Sequence, residues 1–445
     1  MDILIDASDE PTTHCEIDEE LHMLPVRIPL TTRRRSCQQR AIRALSRSLS
    51  AAIMVAPGAM AQAPLVPRTL PELLAYALRA NPDLRTARLR ADSAHGELRI
   101  SRAIPNPTFT VAPGTPFQYS VTQLVDIGPA RLFRTRAARQ GLEASSFDLR
   151  ESSRQVTYLV AQGFYDLLLA EAVRDVSQAQ RDIFRRLLAA DSLRLQHGDL
   201  ALRDVATTEL QASRTESALA RATAAARVQR VFLQVLVGIT VPDTAFRAVG
   251  SLDFGDVSLP MDTLESLASH QRTDLAGARV RLEQSRALRS LARANLAPVP
   301  VVSGVYQKDP FPNGANSAVG IGLTVPVFNW FGGERERARA GEQAAEIAVQ
   351  RSEVQVRSDL AVAVENYRAA RQLADRYTTG RLLEHSRAAV EMQRFAYQQG
   401  AASLIELLAA LSAFNDIQTD YYTALHDYWV SVHAVNSAVG GGLLP

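Results

Sequence analysis

His197-Gly198-Asp199-Leu200 and Gln399-Gly400-Ala401-Ala402 are the two points at which this chain turns back on itself, and the spacing around them decides the fold. Gly198 and Gly238 stand 40 residues apart, Gly400 and Gly440 stand 40 apart, and the two opening glycines are separated by 202 residues. No proline falls between Pro129 and Pro242, and none between Pro326 and Pro445. Proline costs about 3 kcal/mol inside a helix and glycine about 1 kcal/mol. Two runs free of the first and sparing of the second therefore read as helices that each turn once, and their repetition reads as an internal duplication.

Working outward from the first turn, residues 130–196 read as one helix, with Val156, Leu159, Val160, Phe164, Leu167, Leu168, Ile183 and Leu187 on one stripe. At 1.5 Å per residue it is about 100 Å long, while the return helix over 200–237 reaches only about 57 Å. A helix over 83–103 has about the missing length, which predicts that it stacks end to end on the return helix. A shorter helix opens at Leu70-Pro71-Glu72, and Asn81-Pro82 divides the two.

Pro105-Asn106-Pro107 stops the helical pattern and the period changes. Phe109 and Val111, then Phe117, Tyr119 and Val121, alternate with threonine, serine and glutamine, which is a β-hairpin with one apolar face. Soluble hairpins alternate in the same way, so the neighbouring elements carry the weight. The cycle repeats downstream: Arg272-Thr273-Asp274-Leu275 echoes Asn81-Pro82-Asp83-Leu84, and Phe331-Gly332-Gly333-Glu334-Arg335 echoes Ile127-Gly128-Pro129-Ala130-Arg131. The second hairpin has Val319, Ile321, Leu323 and Val325 on its apolar face and a longer tip around Lys308 to Asn316. In the last helix Leu404, Leu411, Gln418, Leu425, Val432 and Val439 hold one heptad position, and Leu407, Phe414, Tyr421, Tyr428 and Val435 the other. A seam of that length predicts supercoiling against a neighbour.

The resulting plan is 1–61, a signal peptide with an N-terminal extension; 62–238, a first repeat with a β-hairpin at about 107–125 and its turn at 198; 239–260, a connecting equatorial segment; and 261–445, a second repeat with a β-hairpin at about 299–326 and its turn at 400. The address is read from Arg33, Arg34, Arg35, Arg40 and Arg43 ahead of the apolar run Ala51 to Met60, with cleavage after Ala61. Translation starting at Met1 and at Met23 both fit. Cys15 and Cys37 precede the cleavage site, so the mature chain has neither disulfide nor thiolate metal site. No later segment reaches about 18 uninterrupted apolar residues, so strands must do any crossing of a membrane.

With 47% hydrophobic and 22% charged residues but only 6% aromatic, the composition suits long helices better than a compact enzyme. A formal charge of +2 predicts no strong basic field for nucleic acid or an anionic membrane surface. The eight histidines form no His-x-x-x-His or His-x-x-His pair, so no metal site is assigned. Gly320-x-Gly322 lacks the third glycine of a dinucleotide loop, and nothing assembles a nucleophile with its base. Neither an enzyme nor a cofactor is expected.

Tyr397-Gln398-Gln399-Gly400-Ala401-Ala402-Ser403-Leu404-Ile405-Glu406-Leu407-Leu408-Ala409-Ala410 resembles the second hairpin tip of the TolC family of bacterial outer-membrane efflux channels, with an aromatic three residues before glycine and an acid six after it. His197-Gly198-Asp199-Leu200 with Asp204-Val205 is similar to the first tip. Pro105-Asn106-Pro107 and Gln123-Leu124-Val125-Asp126-Ile127-Gly128 resemble the cobalt-zinc-cadmium type. The resemblance implies a mainly α chain with a small β part, whose two β-hairpins per protomer contribute to a homotrimeric 12-stranded β-barrel in outer-membrane lipid above an α-helical tunnel. It implies an exit duct for small molecules or metal ions, working with a periplasmic adaptor and an inner-membrane pump. A secreted periplasmic coiled-coil scaffold and a duct for type I protein secretion are the alternatives.

Two sites follow. His197, Gly198, Asp199, Leu200, Gln399, Gly400, Ala401 and Ala402 form adaptor-docking tips, where small residues leave backbone approachable. Tyr397 and Glu406 form the gate, where three-fold symmetry gathers three carboxylates if the last helix lines the lumen. Ala402 and Ala409 stand where the family has an arginine and a second acid, so Arg394 or Arg387 has to supply any missing partner.

Overall fold

The computed structural model describes residues 69–443 apart from 244–245, 258 and 309–314. The segment read as a signal peptide, both cysteines and the middle of the second hairpin's tip lie outside the described residues.

The first repeat consists of α1 (Leu70–Ala80), α2 (Pro82–Arg102), β1 (Thr108–Ala112), β2 (Phe117–Leu124), α3 (Pro129–Gln196) and α4 (Leu202–Val237). Thr69 and Glu72 close a capping box at the start of α1. Asn81 joins three helices: its Oδ1 accepts from the amides of Asp83 and Leu84 at 2.8 and 3.2 Å, and its Nδ2 donates to the carbonyl of Leu236 at 2.8 Å. The start of α2 is thereby fastened to the end of α4, and both pack along α3, giving the end-to-end stack that the length mismatch predicts.

The second repeat consists of α5 (Leu264–Gln271, after a single 3-10 turn), α6 (Thr273–Ala294), β3 (Val299–Lys308), β4 (Ala315–Thr324), α7 (Gly332–Thr379), α8 (Leu382–Gln398) and α9 (Leu404–Val439). Its junction copies the first. Gly238 and Gly440 both cap a helix in the left-handed region, at φ +98° and +112°, and a Cβ on either would come within 3 Å of the opposing backbone, at Ala80 and Gln271 respectively. Glycine is required at both for conformation and for close approach. Arg272 replaces Asn81. It is 3% exposed, donates to the Ala438 carbonyl at 3.2 Å and forms ion pairs with Asp274 and Asp359 at 2.7 and 2.9 Å.

One expectation is corrected. The run from 332 to 398 is not a single helix but breaks between α7 and α8 at Gly380 and Arg381, with Arg381 at φ 47°. The cause is the poor helix-forming triplet Thr378-Thr379-Gly380. Both threonine hydroxyls turn back onto carbonyls four residues earlier, which bends the last turn.

The heptad seam of α9 is buried at Leu404, Leu407, Leu411, Leu425, Tyr428, Val432, Val435 and Val439, but only half-buried at Phe414, Gln418 and Tyr421. Two cores result, a large one around the repeat junctions and a small one near the turns. Residues 246–257 strap the larger core. Tyr428 accepts from the Val257 amide and donates to the Gly255 carbonyl, while Tyr367 donates to the Val257 carbonyl and Trp429 to that of Asp253. By length and composition α3 contains one window apolar enough to cross a membrane, with mean hydropathy 1.2, which a criterion of uninterrupted apolar residues passes over. Of that window 44% is buried inside the protein, in keeping with the central helix of a bundle.

The four strands form one antiparallel sheet in the order β1-β2-β3-β4, so the two hairpins join through β2 and β3.

Candidate functional site

Two regions carry the candidate function: the sheet and the helical turns. In the sheet, register places Phe109 opposite Val121, Tyr119 opposite Tyr306, Val302 opposite Ile321 and Gly304 opposite Val319. These side chains share one face, since residues two apart along a strand point the same way. The face is exposed: Phe109 is 63% accessible, and Val319 and Ile321 are each 83%. Tyr119 sits 6.3 Å, centroid to centroid, from both Phe109 and Tyr306, which makes an aromatic row across three strands. The opposite face is mainly polar, with Thr108, Thr110, Ser120, Thr122, Ser303 and Gln307 alongside Leu124, Val301 and Val305. Among the described residues β1 and β4 each keep one unpaired edge.

The two turns are built alike. Gly198 and Gly400 take left-handed conformations at φ +82° and +71°. The amides of Asp199 and Ala401 reach back to the carbonyls of Arg194 and Ala396 at 2.8 and 2.9 Å, closing both helices in Schellman fashion. His197, Gly198, Asp199, Gln399, Gly400 and Ala401 are exposed, with Leu200 and Ala402 half-buried behind them.

Tyr397 and Glu406 occupy different settings. Glu406 is exposed and turned back on its own helix, where its carboxylate accepts from the Ser403 amide at 2.8 Å and its amide donates to Ser403 Oγ at 3.3 Å. This is a capping box, which also fixes where α9 begins. Tyr397 is 5% exposed, and its hydroxyl donates to Asp191 Oδ1 at 2.9 Å. Asp191, 1% exposed, accepts on its other oxygen from Thr208 Oγ1 at 2.8 Å. The three side chains come from α8, α3 and α4, so a buried carboxylate ties one helical hairpin to the other just above both turns. Burial, then the hydrogen bond from its hydroxyl to Asp191, holds the Tyr397 phenol far above its ordinary pKa, so it remains a proton donor. The Arg194 guanidinium lies 5.4 Å from the centre of the Tyr397 ring. Arg394 pairs with Glu391 at 3.7 Å rather than with Glu406.

Beside this triad a 260 Å³ groove opens between α3, α8 and α9, floored by Ile183, Leu187, Leu407 and Leu411 and rimmed by Arg186 and Arg394. Asp191 and Thr208 were not singled out from sequence. A signal existed: Asp191 lies seven residues after Phe184 and four after Leu187, a carboxylate on the buried stripe of its helix. No cluster of histidine, cysteine and acidic residues able to hold a metal occurs among the described residues.

Residues 264–441 match the family model described as outer membrane efflux protein. The cobalt-zinc-cadmium resistance protein CzcC of Cupriavidus metallidurans is 26% identical over 272 residues, covering 59% of this chain and 64% of that protein; the match thus spans just under two thirds of the curated relative's length. Among solved structures, the Campylobacter jejuni CmeC outer membrane channel superposes with a TM-score of 0.73 at 16% identity, covering 84% of this chain and 86% of that one. CusC gives 0.73 at 18% identity, over 84% and 92%. The open-state MtrE outer membrane channel of Neisseria gonorrhoeae gives 0.70 at 20% identity, over 85% and 90%. At such identities the likeness is one of fold.

Proposed function

We propose that this chain is a TolC-family efflux protein serving as the outer-membrane exit duct of a tripartite efflux system, a reading supported by the outer membrane efflux protein model over residues 264–441 and by the fold it shares with solved outer-membrane channels. The observation that carries this reading is the four-stranded sheet with one exposed apolar face, one mainly polar face and, among the described residues, two unpaired edges. An open edge cannot lie in lipid, where every backbone polar group needs an internal partner. Four strands cannot close on themselves, since the smallest membrane barrels have about eight. Three copies joined β4 to β1 give a closed barrel that faces lipid with its apolar side and water with its threonine and serine side. The helices then continue the barrel into the periplasm as a tunnel of about 100 Å. Purified mature protein is expected to run as a trimer and to give discrete conductances in planar bilayers; a monomer that stays in the aqueous phase overturns the proposal.

At the far end the turns at Gly198 and Gly400 dock the hairpin tips of a periplasmic adaptor, which links the duct to an inner-membrane pump. Bulk at Ala401, as in Ala401→Trp, is expected to abolish cross-linking to the adaptor while trimers persist; unchanged cross-linking removes these tips from the interface. Tyr397, through Asp191 and Thr208, latches the two hairpins in a closed aperture, and Glu406 lines that aperture. Divalent metal cations are the favoured cargo, a reading supported by the relative CzcC being a cobalt-zinc-cadmium resistance protein. Metal sensitivity of a deletion strain, restored by the intact gene, checks it.

A further inference from the structure

Charge is unevenly distributed along the molecule. The sheet-proximal ends of α2, α3, α6 and α7 meet at one level: Arg131 donates to the Arg102 carbonyl at 2.7 Å, Arg136 approaches Glu283, and Arg289 pairs with Glu342. Residues 99–104, 126–139, 286–297 and 326–339, which make up this level, contain twelve arginines and three carboxylates, Asp126, Glu334 and Glu336, while Glu283, Glu342 and Glu346 just outside these ranges take up Arg136, Arg286 and Arg289. The whole chain carries only +2. The expectation of no strong basic field, drawn from net charge, therefore misses a local one. Asp126 is taken up by Arg134. Arg99, Arg102, Arg293, Arg335, Arg337 and Arg339 are exposed and have no carboxylate partner among the described residues.

Next to this collar the apolar phase of β4 continues past the end of the strand. Val325 and Val327 are exposed and keep that phase, and Phe328, 99% accessible, and Trp330, 65%, follow outside it. Ile127 and Leu132 are exposed at the corresponding place in the first repeat. A 280 Å³ groove between α6 and α7, walled by Leu288, Leu291, Ala292 and Ala338 with Glu334 on its rim, opens beside Arg337. Free-standing aromatics that follow a lipid-facing strand, and guanidinium groups without a carboxylate partner within about two helical turns of it, match the two layers of a leaflet surface, acyl boundary and phosphate.

We propose that this collar binds anionic phospholipid of the periplasmic leaflet, with Phe328 and Trp330 seated at the acyl boundary and Arg335, Arg337 and Arg339 holding headgroup phosphates. The proposal rests on the exit-duct reading, which places the apolar sheet face in the outer membrane. It adds a lipid preference at a defined depth. Guanidinium pairs with phosphate oxygens in bidentate fashion, which a zwitterionic headgroup with its own ammonium satisfies less well.

The chain has two tryptophans, so Trp429→Phe leaves Trp330 as the sole emitter. The full-length mature trimer of this variant is reconstituted into bilayers in which either the phosphatidylglycerol or the phosphatidylethanolamine carries brominated acyl chains, and Trp330 quenching is compared at equal bromine content. The expected result is that brominated phosphatidylglycerol competes for the site about threefold or more better at low salt, with the advantage shrinking as salt rises. Changing Arg335, Arg337 and Arg339 to glutamine is expected to equalise the two lipids. Equal quenching in the parent protein overturns the proposal even if the triple variant fails to assemble. Channel conductance without quenching by either lipid also overturns it and leaves the exit-duct reading standing; loss of both conductance and membrane retention overturns that reading instead.

Discussion

Removing one hydroxyl, Tyr397→Phe, tests the latch. The ring keeps its packing against Leu404 and Leu407 in the small core, so the transfer term is unchanged and only the 2.9 Å bond to Asp191 is lost. A hydrogen bond to a charged group contributes about 1.5–3 kcal/mol, and the burial of Asp191 at 1% exposure favours the upper part of that range. At 1.4 kcal/mol per decade, the closed-to-open ratio is expected to fall by about ten- to a hundredfold. Single-channel recording of the reconstituted trimer measures this directly as open probability. Thr208→Val removes the second donor to Asp191 at 2.8 Å and should act in the same direction. Because the two donors share one carboxylate, their effects should be non-additive by about 0.5–3 kcal/mol. If Tyr397→Phe lowers the melting temperature but leaves open probability within twofold of the parent, the bond is structural and the latch reasoning is refuted.

Glu406→Gln keeps the capping box, since glutamine serves at N3 as well as glutamate, while removing the charge; cation selectivity and block by multivalent cations from the periplasmic side should both fall, and wild-type values for both would exclude Glu406 from the aperture. Arg272→Ala leaves two carboxylates and the Ala438 carbonyl without their shared donor, and calorimetry of the trimer should register a loss of about 3 kcal/mol. Two histidines of α9 should give opposite pH responses. For His426 burial pulls the pKa down, but hydrogen bonds to Asp166 at 2.7 Å and Asp427 at 2.9 Å outweigh it and raise the pKa. Its stabilisation is therefore complete below the unfolded value of about 6.5 and lost as pH rises through the folded one. His433, beside Tyr165, is driven by burial down to about 4, so its contribution is present above about 6.5 and lost as pH falls towards 4. Melting of His426→Gln and His433→Phe from pH 4 to 8 should show the first losing stability mainly on the acid side and the second gaining it there.

Much of this architecture was readable from residue order because backbone chemistry dictates it. Gly198 and Gly400 are needed for left-handed turns, Asn81-Pro82 for a helix junction, and the alternation through Phe117, Tyr119 and Val121 for a two-faced strand. Features that depend on what meets what across the bundle were not readable. The break after Thr379 comes from three weak helix formers in succession, none of which is a proline. Glu406 reads as a free carboxylate until Ser403 is seen to hold it. Asp191 is one acid among many in α3 until Tyr397, 206 residues later, donates to it. The basic collar is invisible in a net charge because its arginines come from four helix ends scattered through the chain.

The pairing of β2 with β3 fixes an order of events. Phe117 bonds opposite Lys308 and Leu124 opposite Val301, so partners in the middle of the sheet lie 177 to 191 residues apart in the chain. Contacts of such separation form late, because the intervening loop must be ordered first. During export from N- to C-terminus, the first hairpin emerges with both of its edges bare while the residues that cover one of them are still being translocated. A two-stranded hairpin is marginal in water at best, so on the exit-duct reading the apolar residues of β1 and β2 stay exposed until β3 arrives. Arrest of translocation before residue 299 is then expected to leave an aggregating, protease-sensitive fragment rather than a half-built barrel.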